Sequence, residues 1–171
     1  MGEFKIILTL LLLSGAVIMD IRSCRISNRL ILCGMAAGLW FQSTALGVEG
    51  VLSFIRNISI PVILLYLLFL MRALGAGDIK LFSVVGGIWN LEILKITLVA
   101  AFFTGAVMSL CVLIYHQNLN TRLRIFGIYL RQVMCTGRIT RYPKESKETR
   151  NFIHFSIAIL IGFIVALGVV Y

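Results

Sequence analysis

The chain has 171 residues, of which 60% are hydrophobic and only 13% charged, and it carries a net charge of +9. A soluble domain has roughly 25% charged residues, and a chain this short has no interior large enough to hide so much apolar side chain. The composition excludes an ordinary soluble domain and points to an all-α membrane protein, one polytopic domain over residues 1–171.

A spanning helix needs about 20 mostly apolar residues. The first candidate covers residues 4–21 and is followed by a basic turn. It is read as a span rather than a cleaved signal peptide, because no small-x-small cleavage site ends it and another apolar run follows. The second covers residues 30–46 and the third residues 51–71, with Arg56 and Asn57 near its start. The fourth, residues 79–90, is short; the fifth covers residues 93–115 and the sixth residues 152–171. Residues 116–151 form the one long connection. Within it Leu119, Leu123, Phe126, Leu130 and Val133 recur at spacings of four and three, which predicts an amphipathic helix on the inner membrane surface between spans five and six.

Lysine and arginine positions set the orientation. All the basic residues except Lys5, Arg56 and Lys95 fall in the connections after spans one, three and five, or, for Lys80, at the edge of one. Those connections are therefore predicted to be cytoplasmic, with both termini outside. The positive charge is then a topology signal and a grip on anionic membrane lipid, and nucleic acid is not an expected partner. Cys24, Cys33, Cys111 and Cys135 show no C-x-x-C and no regular spacing, so they are expected to be reduced packing residues rather than zinc ligands or disulfides.

Acidic residues are few, and only Asp20 and Asp78 fall at the inner ends of spans. Residues 4–19 make about 24 Å of helix and residues 81–89 about 14 Å, against a hydrocarbon core of about 30 Å. Both carboxylates are thus expected just inside the cytoplasmic boundary, with Trp89 at the outer interface. An ionisable group at that depth is a functional hypothesis by default. Each aspartate alone has a structural reading: Asp78 as the N-cap of span four, and Asp20 as a partner of Arg22 or Arg25. As a facing pair they have a defined chemistry. Two close carboxylates share one proton; the ionised one takes a proton from an attacking water, and the protonated one polarises the carbonyl and later protonates the leaving amine. That chemistry needs no metal and no cofactor. Gly75 and Gly77 are expected to supply unusual dihedrals and close backbone approach beside Asp78. Lys80, two residues on, does not face Asp78 on a helix.

The stretch Gly75-Ala76-Gly77-Asp78-Ile79-Lys80 resembles the G-x-G-D-x-K signature of the type IV prepilin peptidases. Asp20-Ile21-Arg22-Ser23-Cys24-Arg25-Ile26-Ser27-Asn28-Arg29-Leu30 resembles the family's first motif, an aspartate at a span end, a basic stretch, then I-P-N-x-L. The resemblance covers nearly the whole chain and implies a membrane aspartic protease, with Asp20 and Asp78 catalytic and Gly75, Gly77, Lys80 and Asn28 binding substrate or shaping loops. Ser27 stands where the family usually has proline, which changes the stiffness of that turn. Longer members carry a cytoplasmic insertion with paired cysteines and N-methylate the new terminus. Here the insertion is missing, and no methyltransferase activity is expected. The compact form is similar to the peptidases of Flp/Tad-like pili. These cut a prepilin or prepilin-like protein after a leader glycine, at the cytoplasmic face of the bacterial inner membrane.

Other readings remain at this stage. An archaeal preflagellin-type peptidase shares the G-x-G-D signature. A presenilin-like enzyme expects tyrosine before its first aspartate, where this chain has Met19. A proton or cation transporter using the two carboxylates, and a non-enzymatic partner in a secretion apparatus, come from other classes.

Overall fold

The computed structural model describes residues 2–71, 73–115 and 154–170. Its helices are α1 (Gly2–Ser23), α2 (Asn28–Leu70), α3 (Ala76–Ile88), α4 (Leu91–Tyr115) and α5 (Phe155–Val170), and no strand occurs among the described residues. By Cα proximity, Met1–Gly105 with His154–Tyr171 forms one compact unit and Ala106–Ile153 a second. The core and the site described below belong to the first. The amphipathic helix expected from Leu119 to Val133 lies outside the described residues.

Three of the helices, α1, α2 and α4, are long and apolar enough to cross a membrane, and α5 is a shorter apolar helix. Large apolar side chains such as Leu11, Trp40, Ile63 and Phe103 point outward. An apolar surface on that scale is unusual for a monomer in water and is matched by lipid tails.

A straight helix the length of α2 would run about 64 Å, twice a bilayer. It does not run straight, because Gly47 has φ 58° and ψ −129°, a region open to glycine and closed to residues with a Cβ. Three residues on, a Cβ at Gly50 would collide with the Gln42 carbonyl. The two halves on either side of this turn lie against α3 in opposite directions. Gly34 meets Val84 and Gly38 meets Gly87, whereas Phe54 meets Gly87 and the Ile58 carbonyl accepts from the Ser83 hydroxyl at 3.0 Å. α2 is therefore a helical hairpin, and its halves correspond to the expected second and third spans.

α3 is the central element. Its 13 residues make about 20 Å of helix, and every residue from Leu81 to Trp89 is buried. A helix that is apolar all round belongs inside a bundle. Trp89 is 5% exposed, so its ring faces other helices and not lipid. α3 stops at Ile88, and the carbonyl of its C-cap Trp89 accepts from Gln42 Nε2 at 3.0 Å and Asn57 Nδ2 at 3.4 Å. The indole Nε1 donates to Thr9 Oγ1 at 3.0 Å, and the ring packs on Phe163 with centroids 5.8 Å apart. Toward the other end, Phe82, Phe102 and Phe155 tie α3, α4 and α5 together, with centroids 5.6–6.4 Å apart.

Cys24, Cys33 and Cys111 are free and exposed. The expectation that they pack inside the protein is corrected for these three: Cys24 lies in the turn after α1, and Cys33 and Cys111 sit on outward helix faces.

Candidate active site

Asp20 sits in the last turn of α1. The helix closes with the Cys24 N–H donating to the Asp20 carbonyl at 2.8 Å, and Cys24 adopts φ 50°. That left-handed conformation is usual for glycine after a helix and costs other residues roughly 1–2 kcal/mol. The chain thereby turns sharply and needs only residues 24–27 to reach α2. The Ser23 hydroxyl, within hydrogen-bond reach of the Met19 carbonyl at 2.8 Å and the Arg25 carbonyl at 3.1 Å, braces the turn.

Ser27 is the N-cap of α2, with φ −66° and ψ 131°, and its hydroxyl accepts from the Arg29 N–H at 3.3 Å. The φ is the one a proline ring would impose. Serine therefore keeps the turn geometry and adds a capping acceptor. Asn28 follows as the first residue of α2, and its Oδ1 accepts from Lys80 Nζ at 2.9 Å. Lys80, unexplained by spacing alone, is thus a strut from α3 to the start of α2.

Gly75 is the N-cap of α3 with φ −79° and ψ 149°, and its N–H donates to Asp78 Oδ2 at 3.3 Å. Asp78 is therefore at the third helical position, reaching back to the cap rather than forming it, which corrects the N-cap reading. The expectation of unusual dihedrals at Gly75 and Gly77 is also corrected. Gly75 is in ordinary extended backbone and Gly77 lies within α3. What these two positions require is smallness. A Cβ at Gly75 would come 3.0 Å from Asp78 Oδ2, and one at Gly77 would come 3.1 Å from Ile26.

These elements enclose a cavity of about 340 Å³. Asp20 and Asp78 both line it, together with Gly75, Gly77, Lys80 and Asn28. All six residues singled out in the sequence are therefore brought to one place. Arg25 and Lys80 bring positive charge to the same wall, so two carboxylates and two cations face one opening.

Two neighbours of Asp20 were not anticipated. Its Oδ2 accepts from the Ser156 hydroxyl at 2.6 Å and lies 3.5 Å from His154 Nδ1. The pairing with Arg22 or Arg25 considered from sequence gives way to α5, whose start the Phe82–Phe102–Phe155 cluster holds beside α1. The available clue was weak: a polar His-x-Ser opening an otherwise apolar span.

A family model described as the type IV leader peptidase family matches residues 6–110, well over half of the chain and including both aspartates. The chain belongs to the type IV leader peptidase family. No curated protein and no solved structure matches it in the parallel comparisons. The matched segment of this leader peptidase runs from α1 into α4 and stops before His154 and Ser156. As a member of a leader peptidase family it is a peptidase, and a prepilin-like protein is the substrate that membership implies.

The Lys80 strut joins two walls of the leader peptidase cavity and is exposed, so its main effect is on geometry. Lys80→Met and Asn28→Ala are each expected to slow cleavage by about fivefold, the scale of one hydrogen bond. The double variant should be no slower than either, because both changes remove one shared contact. Steady-state rates of the three variants check this, and independent, multiplying losses would refute the strut.

Proposed function

We propose that this leader peptidase hydrolyses the peptide bond after the leader glycine of a type IV, Flp/Tad-like prepilin, at the cytoplasmic face of a bacterial inner membrane, by a two-aspartate mechanism. The observation that carries the reading is that Asp20 and Asp78, on different helices, line one cavity. The supporting frame is the one expected from sequence: six crossings, with α2 supplying two and α3 one, and both termini outside.

The step follows from the groups present. One ionised carboxylate accepts a proton from water while the oxygen of that water bonds to the scissile carbonyl carbon. The protonated partner donates a hydrogen bond to the carbonyl oxygen as negative charge develops there. The tetrahedral intermediate collapses when a proton reaches the leaving nitrogen and the C–N bond breaks. One water is consumed, and an acid and an amine leave. Neither metal nor cofactor takes part. Anionic lipid holds the basic connections against the membrane. Because Arg25 and Lys80 repel a basic leader, attraction for the substrate comes from its apolar helix and from the aspartates. The connection of only residues 24–27 supports a peptidase without methyltransferase activity.

The test is direct. The purified protein in liposomes is given a prepilin-like substrate, a basic leader ending in glycine ahead of an apolar helix, and the product's N-terminus is sequenced. Cutting after the glycine is the expected result, and no cutting overturns the substrate assignment. A proton or cation transporter predicts instead a flux across the same liposomes that Asp78→Asn removes.

A further inference from the structure

We infer that Ser156, flanked by His154, is a positioning residue that holds the Asp20 carboxylate for attack on the substrate. This rests on the two-aspartate reading above and deepens it by adding residues at the start of α5, beyond the segment matched by the family.

Ser156 is 1% exposed, and its hydroxyl donates to Asp20 Oδ2 at 2.6 Å, a length typical of a strong bond from a hydroxyl to a carboxylate. A buried serine on an apolar helix has a simpler option, which is to bond the carbonyl four residues earlier in its own helix. Ser156 is the second residue of α5, and its hydroxyl reaches across to α1. His154 Nδ1 approaches the same oxygen at 3.5 Å, within ion-pair range when the ring is protonated. Among the described residues, neither Ser156 nor His154 lines the cavity that Asp20 and Asp78 share. Both therefore hold Asp20 from behind.

The consequence is geometric. With Oδ2 engaged by Ser156, rotating the carboxylate breaks the contact, and Oδ1 is assigned to the water. Without the hydroxyl the carboxylate can rotate, and the productive arrangement is populated for only part of the time. Such a loss acts on the chemical step and not on substrate capture. α5 is kept in place by Phe155, adjacent to Ser156, whose ring packs at a tilt on Phe82 and Phe102 at centroid distances of 6.3 and 5.6 Å. The same cluster rests on α3 one turn beyond Asp78. Both carboxylates are therefore supported by one aromatic anchor, which fixes their relative position.

The experiment measures kcat and KM for the glycine-ended leader substrate in liposomes, with Ser156→Ala, Ser156→Thr, His154→Ala and Asp20→Asn compared alongside thermal unfolding. Ser156→Ala is expected to lower kcat by about tenfold with KM unchanged, the rate equivalent of one hydrogen bond at the reacting group. Ser156→Thr, which keeps the hydroxyl, should restore most of that rate, and His154→Ala should cost about threefold. In an Asp20→Asn background, Ser156→Ala should cause no further loss. Unchanged kcat in Ser156→Ala overturns the inference. So does an equal loss in the alanine and threonine variants accompanied by lower thermal stability, since that pattern marks a packing role. Full activity in Asp20→Asn overturns the two-aspartate reading itself, whatever Ser156 does, and an inactive Asp20→Asn beside a fully active Ser156→Ala overturns only the positioning role.

Discussion

Replacing either Asp20 or Asp78 by asparagine is expected to lower leader cleavage by about 10²–10⁴-fold, the contribution of a positioned acid or base. Asparagine has nearly the same shape and still offers an oxygen to Ser156 or to the Gly75 N–H, so the contacts at 2.6 and 3.3 Å can persist and the fold should be retained. What asparagine cannot do is accept a proton from water or hold one for the carbonyl. The two losses should not multiply. A water-activating pair works as a unit, and removing one member disables the other, so the double variant should be about as slow as either single one. Single-turnover cleavage, read beside thermal unfolding of the same preparations, separates lost chemistry from lost fold. Wild-type rates in either variant would sink the two-aspartate mechanism. A non-enzymatic partner in a secretion apparatus predicts the opposite, with pilus assembly intact in Asp78→Asn.

Gly38→Leu is expected to destabilise the protein more than any surface change, by about 1–3 kcal/mol or more. A Cβ at this position would stand 2.8 Å from the Gly87 carbonyl carbon and 3.0 Å from the Ile88 nitrogen. Those atoms are backbone and have no rotamer to escape into. Helices in lipid gain contact by close approach at small residues, because lipid tails are as apolar as leucine and provide no hydrophobic drive between them. A larger side chain would force α2 and α3 apart. Since α3 also carries Asp78, activity should fall together with the unfolding temperature. Gly168 supplies the control, because a Cβ there meets nothing within 4 Å, so Gly168→Ala should leave both readings near wild type. An unfolding temperature for Gly38→Leu equal to that of the control would contradict the close packing of α2 on α3.

The two cases show what kind of information each level holds. Asp20 and Asp78 were identifiable from sequence because a carboxylate among apolar residues is costly wherever lipid is near, and its position along a span can be counted at 1.5 Å per residue. The helices were legible for the same reason: each apolar run records a demand to leave water. The turn at Gly47 fell between the expected second and third spans, because a hairpin needs a residue free of Cβ constraint there. Several other features could not be read this way. Lipid and protein interior are equally apolar, so a run such as residues 81–89 cannot report which of the two surrounds it. Burial of α3 on all sides, and of Trp89 with it, was settled by the helices that pack around it. Gly75 and Gly77 looked like conformational hinges, whereas close neighbours, Asp78 and Ile26, fix their size. Lys80 had no local partner and found one in Asn28 across the turn. His154 and Ser156 are the clearest instance. Their sequence distance from Asp20 hides them, and only the packing of α5 beside α1 makes them its neighbours. The sequence by itself determined an apolar helical chain with two carboxylates at span ends. The tertiary structure decided which groups face those carboxylates, because contacts between helices depend on shape at close range, and no linear pattern of polarity encodes that.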